Sequence, residues 1–95
     1  MTGARILVIG ANGQIGTELA AALAERPGVD AVITSDLAPE GRVRDLAHEM
    51  LDVTDAAALR TVAQRHRVTQ VYHLAAALSA KAEQQPMWEI GRAHV

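Results

Sequence analysis

The sequence predicts an α/β chain with a parallel sheet and crossover helices. Three observations point there. Short runs rich in β-branched residues and leucine alternate with segments whose apolar residues recur at helical spacing. A glycine-rich turn joins the first such pair. The composition is apolar but hardly aromatic: 49% of the 95 residues are hydrophobic, yet Tyr72 and Trp88 are the only aromatic residues. Abundant alanine of this kind favours close packing of helices on a sheet. An order of strand, helix, strand, short strand, helix, strand is what parallel sheets require.

The elements follow in turn. Residues 5–9, Arg-Ile-Leu-Val-Ile, form a continuous apolar run after the arginine, as expected of a strand covered on both faces. Residues 10–13 make a tight turn. From Gln14 to about Arg26 the positions Ile15, Leu19, Ala22 and Leu23 trace one helical stripe, with Glu18 and Glu25 off it. Pro27 and Gly28 stop the helix. Residues 31–35 read as a second strand ending at Asp36. Residues 37–49, with Pro39, Gly41 and charges of both signs, read as a loop leading to a short strand near Met50 and Leu51. Thr54 and Asp55 mark a helix start, because a hydroxyl or carboxylate there accepts orphan N–H bonds. That helix runs to about Arg67 with Leu59, Val62 and Ala63 inward. Residues 69–73 form a further strand, followed by the small residues 74–77.

Charge and composition exclude several classes. Nine Lys and Arg against eleven Asp and Glu leave a net charge of −2, whereas a nucleic-acid partner calls for a basic face. The absence of cysteine removes disulfides and thiolate metal sites. The first apolar run is far too short for a membrane span or a signal-peptide core. The expectation is a cytoplasmic chain of one domain with no nucleic-acid and no membrane partner, and no metal-binding set.

Gly10, Gly13 and Gly16 are spaced Gly-x-x-Gly-x-x-Gly between strand and helix. Gly10 permits the sharp exit from the strand, Gly13 lets a pyrophosphate approach the backbone, and Gly16 lets the helix pack close to the sheet. The helix N-terminus near Gln14 and Ile15 then presents free N–H groups and a positive dipole end to phosphates. Asp36 lies 20 residues beyond Gly16, where a carboxylate accepts hydrogen bonds from ribose hydroxyls and repels a 2′-phosphate. That favours NAD over NADP, although Arg42 and Arg44 leave NADP open. Asp52 and Val53 follow the third apolar stretch, and Asp52 reads either as an acceptor for the adenine amino group or as a turn residue ahead of Asp55. The candidate cofactor residues are therefore Gly10, Asn12, Gly13, Gln14, Ile15, Gly16, Asp36, Leu37, Asp52 and Val53.

The segments GANGQIGTEL, SDL, LDVTD and VYHLAA together resemble the N-terminal half of the extended short-chain dehydrogenase/reductases, the NAD-dependent epimerase/dehydratase superfamily. The resemblance covers residues 5 to about 89. It implies the N-terminal half of a doubly wound Rossmann fold with a parallel sheet, truncated, and a whole protein that is a homodimer acting on a small-molecule substrate. It also implies that Leu74, Ala75 and Ala76 line the NAD, with His73 a packed structural residue. Gln14 stands where sugar-nucleotide enzymes usually carry an aromatic residue. The stretch around Leu78, Ser79 and Ala80 resembles the short-chain type of L-threonine 3-dehydrogenases. By that resemblance Ser79 is the substrate-side candidate, its alternative being a loop hydroxyl bonded to local backbone. The implied reaction is oxidation of L-threonine at its 3-hydroxyl to 2-amino-3-oxobutanoate, with NAD taking the hydride.

Such enzymes need a Tyr-x-x-x-Lys pair, in which the cation lowers the phenol pKa for proton transfer. Here Tyr72 is followed four residues later by Ala76, and Lys81 is preceded four residues earlier by Ala77. No catalytic residue is assigned. The six residues 90–95 are what ATC GGA AGA GCA CAC GTC encodes, one frame of a widely used sequencing adapter with a stop codon next. The expected division is a partial NAD-binding domain at residues 1–89 and a non-native tail at residues 90–95, in which His94 is no ligand. Such a fragment is expected to be inactive, to bind NAD weakly and to expose a sheet edge. Two rival readings share the glycine turn and Asp36: a sugar-nucleotide epimerase or dehydratase, and a non-catalytic dinucleotide-binding module.

Overall fold

The computed structural model of the chain describes residues 3–74. In chain order the elements are β1 (Ala4–Ile9), α1 (Gln14–Ala24), β2 (Val29–Asp36), β3 (Ala47–Met50), α2 (Ala56–Arg65) and β4 (Gln70–His73). The four strands form one sheet in the order β3-β2-β1-β4, and every neighbouring pair is parallel. The architecture is thus the α/β, Rossmann-like one that the sequence predicts.

Successive side chains of β1 point to opposite faces, and both faces are covered. Ile6 and Val8 join Ala20 and Leu23 of α1, Val32 of β2 and Leu74 in one core. Leu7 and Ile9 join Ile33, Leu51, Val71 and Val62 of α2 in the other. Positions 6 to 9 are all at most 2% exposed, which is why this run carries no polar residue. Truncating Leu7 to alanine at such a site costs about 2–5 kcal/mol.

The two helices lie on opposite faces because the chain reverses its direction across the sheet. It steps outward from β1 to β2 and β3, then returns past β2 and β1 to β4. The reversal falls beside β1, and in open α/β sheets ligands bind outside the carboxyl ends of the strands at such a point.

Three local expectations need correction. Ile15 is 60% exposed and Ala22 is also exposed, whereas Gly16, Ala20 and Leu23 form the buried stripe of α1. Gly16 sets this rotation: a Cβ there would lie 2.7–2.8 Å from the main chain of Ala11. The helix is therefore seated on its glycine, which turns Ile15 outward. The third strand falls at Ala47–Met50, earlier than the apolar residues suggested. It is an edge strand carrying His48 and Glu49, and polar residues are common on edges. Leu51, 3% exposed, follows it into the core. Finally, α2 ends at Arg65, and Arg67 takes a positive φ of 52° that a helix cannot continue.

Beyond these elements, Glu49 of β3 accepts from Arg65 at 2.7 Å and from His66 at 2.6 Å, tying the edge strand to the end of α2. Among the described residues no helix is long and apolar enough to cross a membrane.

Candidate functional site

The carboxyl ends of β1, β2 and β3 converge on one open cleft of about 430 Å³, lined by Gly10, Gly13, Asp36, Leu37, Asp52, Val53 and Thr54. Six of these seven are sequence-derived candidates drawn from three separate stretches, and the seventh, Thr54, adjoins them.

The glycine turn is built from the strand outward. Gly10 has φ 81°, a left-handed conformation that side chains disfavour. This bend lets the N–H groups of Gly10 and Ala11 both donate to the Ser35 carbonyl, at 2.9 and 3.0 Å. The buried Ser35 hydroxyl in turn donates to the Val8 carbonyl at 3.1 Å. The next amide, Asn12 N–H, donates to Asp36 Oδ2 at 3.0 Å. The turn is thereby latched to the end of β2.

What the turn then presents is different. Gly13 is the N-cap of α1 and provides no side-chain cap. The first intrahelical bond runs from Thr17 N–H to the Gly13 carbonyl, so the N–H groups of Gln14, Ile15 and Gly16 have no helical partner. The contrast with α2 is direct: there Asp55 caps the helix and accepts from Ala58 N–H at 3.0 Å. A Cβ on Gly13 would meet nothing within 4 Å, and its φ of −72° suits any residue. Among the described residues nothing requires glycine at 13. The space that its missing side chain leaves belongs to the cleft, and a phosphate group fits a bare, positively polarised helix end of this kind.

Asp36 closes the second side. Its Oδ1 accepts from Leu37 N–H at 2.8 Å while Oδ2 holds Asn12. Each oxygen keeps further acceptor capacity for a ligand hydroxyl. Leu37 stands 69% exposed at the cleft, opposite the loop that carries Val53. Asp52 Oδ1 accepts from both the N–H and the hydroxyl of Thr54, at 2.9 and 2.6 Å. The Thr54 hydroxyl is the main cause of the lowered Asp52 pKa. Asp52 is thus a turn residue and a cleft residue at once, and Asp55 rather than Asp52 caps α2. Thr54 is a lining residue the sequence reading did not assign to the site. The Asp-x-Thr spacing, which lets a hydroxyl reach the carboxylate two residues back, was the available signal.

The other described candidates do not line the cleft with their side chains. Asn12 sits behind the turn, its Nδ2 donating to the Glu40 carbonyl at 3.0 Å. Gln14 and Ile15 are exposed on the first turn of α1. Gly16 packs against Ala11 and serves the helix seat. Leu74 is 3% exposed with its side chain in the α1-side core, and His73 is buried at the end of β4. Tyr72 packs against the α1-side core from β4. Ala75, Ala76 and Ser79 lie outside the described residues, as does the 90–95 stretch. Among the described residues no three His, Asp or Glu side chains gather to hold a metal ion.

Known proteins share this fold. The chain is 62% identical to a solved structure described as a GalE-like L-threonine dehydrogenase from Cupriavidus necator in its holo form, with a TM-score of 0.72 over 88% of this chain and 28% of that one. A structure described as a partial consensus L-threonine 3-dehydrogenase is 60% identical, with a TM-score of 0.70 over 88% of this chain and 27% of that one. An uncharacterized epimerase/dehydratase from Staphylococcus epidermidis is 37% identical over 90% of this chain and 29% of its own length. The chain therefore spans under a third of the relatives it matches. Residues 6–93 match the NAD dependent epimerase/dehydratase family over most of the chain, and the protein belongs to that family.

Proposed function

We propose that this chain forms the adenosine–pyrophosphate half of an NAD site in a dehydrogenase that oxidises L-threonine at its 3-hydroxyl. The observation that carries the substrate is the 62% identity to a protein described as an L-threonine dehydrogenase. What supports the cofactor is the cleft itself, with an uncapped helix end beside a carboxylate at the tip of β2.

In this reading Gly13 and the free amides of α1 bind the pyrophosphate. Asp36 accepts from the ribose hydroxyls, and a 2′-phosphate at the same place meets like charge, so NAD is preferred over NADP. Leu37 and Val53 supply apolar walls, and Asp52 offers an acceptor for the adenine amino group. Ala75, Ala76 and Ser79 belong to the nicotinamide and substrate side. NAD, when bound, supplies the hydride acceptor. The proton of the threonine hydroxyl needs a base that this chain does not encode in the Tyr-x-x-x-Lys pattern. The 95-residue chain alone is accordingly expected to bind NAD weakly and to turn over nothing, and the whole enzyme is expected to be a cytoplasmic homodimer.

The test is turnover by a protein that extends this chain to the length of its relatives. NADH formation that depends on L-threonine supports the assignment. Activity on UDP- or dTDP-sugars without activity on threonine transfers it to the epimerase/dehydratase reading.

A further inference from the structure

The cleft wall formed by Leu37 has an unusual support. A leucine 69% exposed to water has no core to hold it, so its position depends on the hydrogen bonds of its own main chain. On one side, Leu37 N–H is held by Asp36 Oδ1. On the other, the carbonyl of Ala38 receives the ring of His48, with Nε2 at 3.0 Å. The opposite ring nitrogen, Nδ1, lies 2.8 Å from the hydroxyl of Thr34, a residue of β2 only 1% exposed. A carbonyl can only accept, so Nε2 carries hydrogen and donates to it. In the neutral ring Nδ1 then accepts from the Thr34 hydroxyl. The imidazole is thus a rigid strut from a buried strand residue to an exposed loop. The loop also lies directly on the ring: a Cβ on Gly41 would come within 2.8–3.0 Å of His48 Nδ1, Cγ and Cβ. One residue further in, Asn12 Nδ2 holds the Glu40 carbonyl, so residues 38–41 are pinned from β3 and from the glycine turn together.

We propose that His48 is a positioning residue for the adenosine end of the bound nucleotide. It acts through Ala38 and Gly41 to keep Leu37 at the cleft wall, and it touches no ligand itself. This rests on the nucleotide reading of the cleft. The fold does not need the strut. Without the ring, the Thr34 hydroxyl still reaches the Ala47 carbonyl at 3.3 Å, and Ala38 is exposed, so water serves its carbonyl. Losing His48 therefore loosens the wall and leaves the sheet and the glycine turn unchanged.

The experiment titrates the 95-residue chain with AMP and, separately, with inorganic pyrophosphate, following amide chemical shifts. Two variants are compared with the parent: His48→Leu, which removes the strut, and Gly41→Ala, which displaces the ring from above at a position free of positive φ. Both are expected to weaken AMP about three- to tenfold, the scale of losing one pre-ordered side chain. Pyrophosphate, held by the glycine turn, should change by less than about twofold. The double variant should be no worse than His48→Leu alone, because both act through one ring. Equal weakening of both ligands means a general structural effect and overturns the proposal. Unchanged AMP affinity in Gly41→Ala and His48→Leu overturns it as well. If His48→Leu does not fold, Gly41→Ala decides by the same criterion. Failure of the parent chain to bind AMP instead sinks the nucleotide reading, and the inference with it.

Discussion

Gly13 and Gly16 stand three residues apart in one motif, and replacing each with alanine should have opposite consequences. At Gly16 a Cβ meets the Cα, C and O of Ala11 at 2.7–2.8 Å, and Ala11 is itself 1% exposed with no room to retreat. Overpacking by a methyl costs about 1–3 kcal/mol, and main-chain neighbours put this case at the upper end. The better helix propensity of alanine offsets about 1 kcal/mol. The net loss is about 2 kcal/mol, or ~8–16 °C in Tm for a domain of this size. At Gly13 the new methyl meets nothing within 4 Å. Alanine is a slightly poorer N-cap, but it also restricts the unfolded chain, so stability should move by less than about 1 kcal/mol. The methyl instead occupies the face proposed to take the pyrophosphate. The same 1–3 kcal/mol of crowding then appears in binding, as a Kd for NAD raised about 5- to 150-fold. Circular-dichroism melts and NAD titrations of both variants give the four numbers required. A folded Gly13→Ala chain that binds NAD as the parent does would falsify the phosphate role of this turn. A Gly16→Ala chain with unchanged Tm would refute the helix seat.

Other perturbations separate scaffold from site. Asp55→Ala removes the side chain that caps α2 and should cost about 1 kcal/mol, read as a lower Tm with NAD affinity scarcely changed once folding is complete. Asp36→Asn removes the charge while keeping an oxygen for one of the two N–H groups it holds. The ratio of NADP to NAD affinity should rise, and an unchanged ratio would remove Asp36 from cofactor choice. The Glu49 carboxyl is held below its ordinary 4.5 chiefly by its hydrogen bond with His66, then by Arg65. A lowered folded-state pKa stabilises the fold above the unfolded value and is lost as pH falls through the folded one. Glu49→Gln should therefore lower Tm at neutral pH and flatten the decline in Tm on acidification below about 4.5. An acid limb identical to the parent's would contradict the assignment.

How far these features were legible varied by the kind of physics involved. β1 was readable because burial on both faces forces an uninterrupted apolar run, and the glycine turn because its backbone demands are local. Asp36 was readable from spacing alone, since a strand of fixed rise must end near the turn it accompanies. The rotation of α1 was not. Periodicity placed Ile15 inward, but the contact of Gly16 with the Ala11 backbone is between segments and overrides it. β3 was displaced because an edge strand needs no apolar alternation. His48 and Thr34 were invisible as a pair, because neither residue belongs to a pattern and only the register of β3 against β2 brings them together. Thr54 reads in the sequence as a helix signal, while its bonds to Asp52 depend on how the turn closes.

The central claim is that the cleft at the carboxyl ends of β1, β2 and β3 holds the adenosine–pyrophosphate half of NAD. Amide chemical shifts of the 95-residue chain during a titration with NAD test it most directly. The largest shifts should fall on Gly10, Gly13 and Gln14, on Asp36 and Leu37, and on Asp52, Val53 and Thr54, and should saturate along one binding curve. Shifts centred on another surface, or a saturating curve that leaves Gly13 and Leu37 unmoved, would contradict the account.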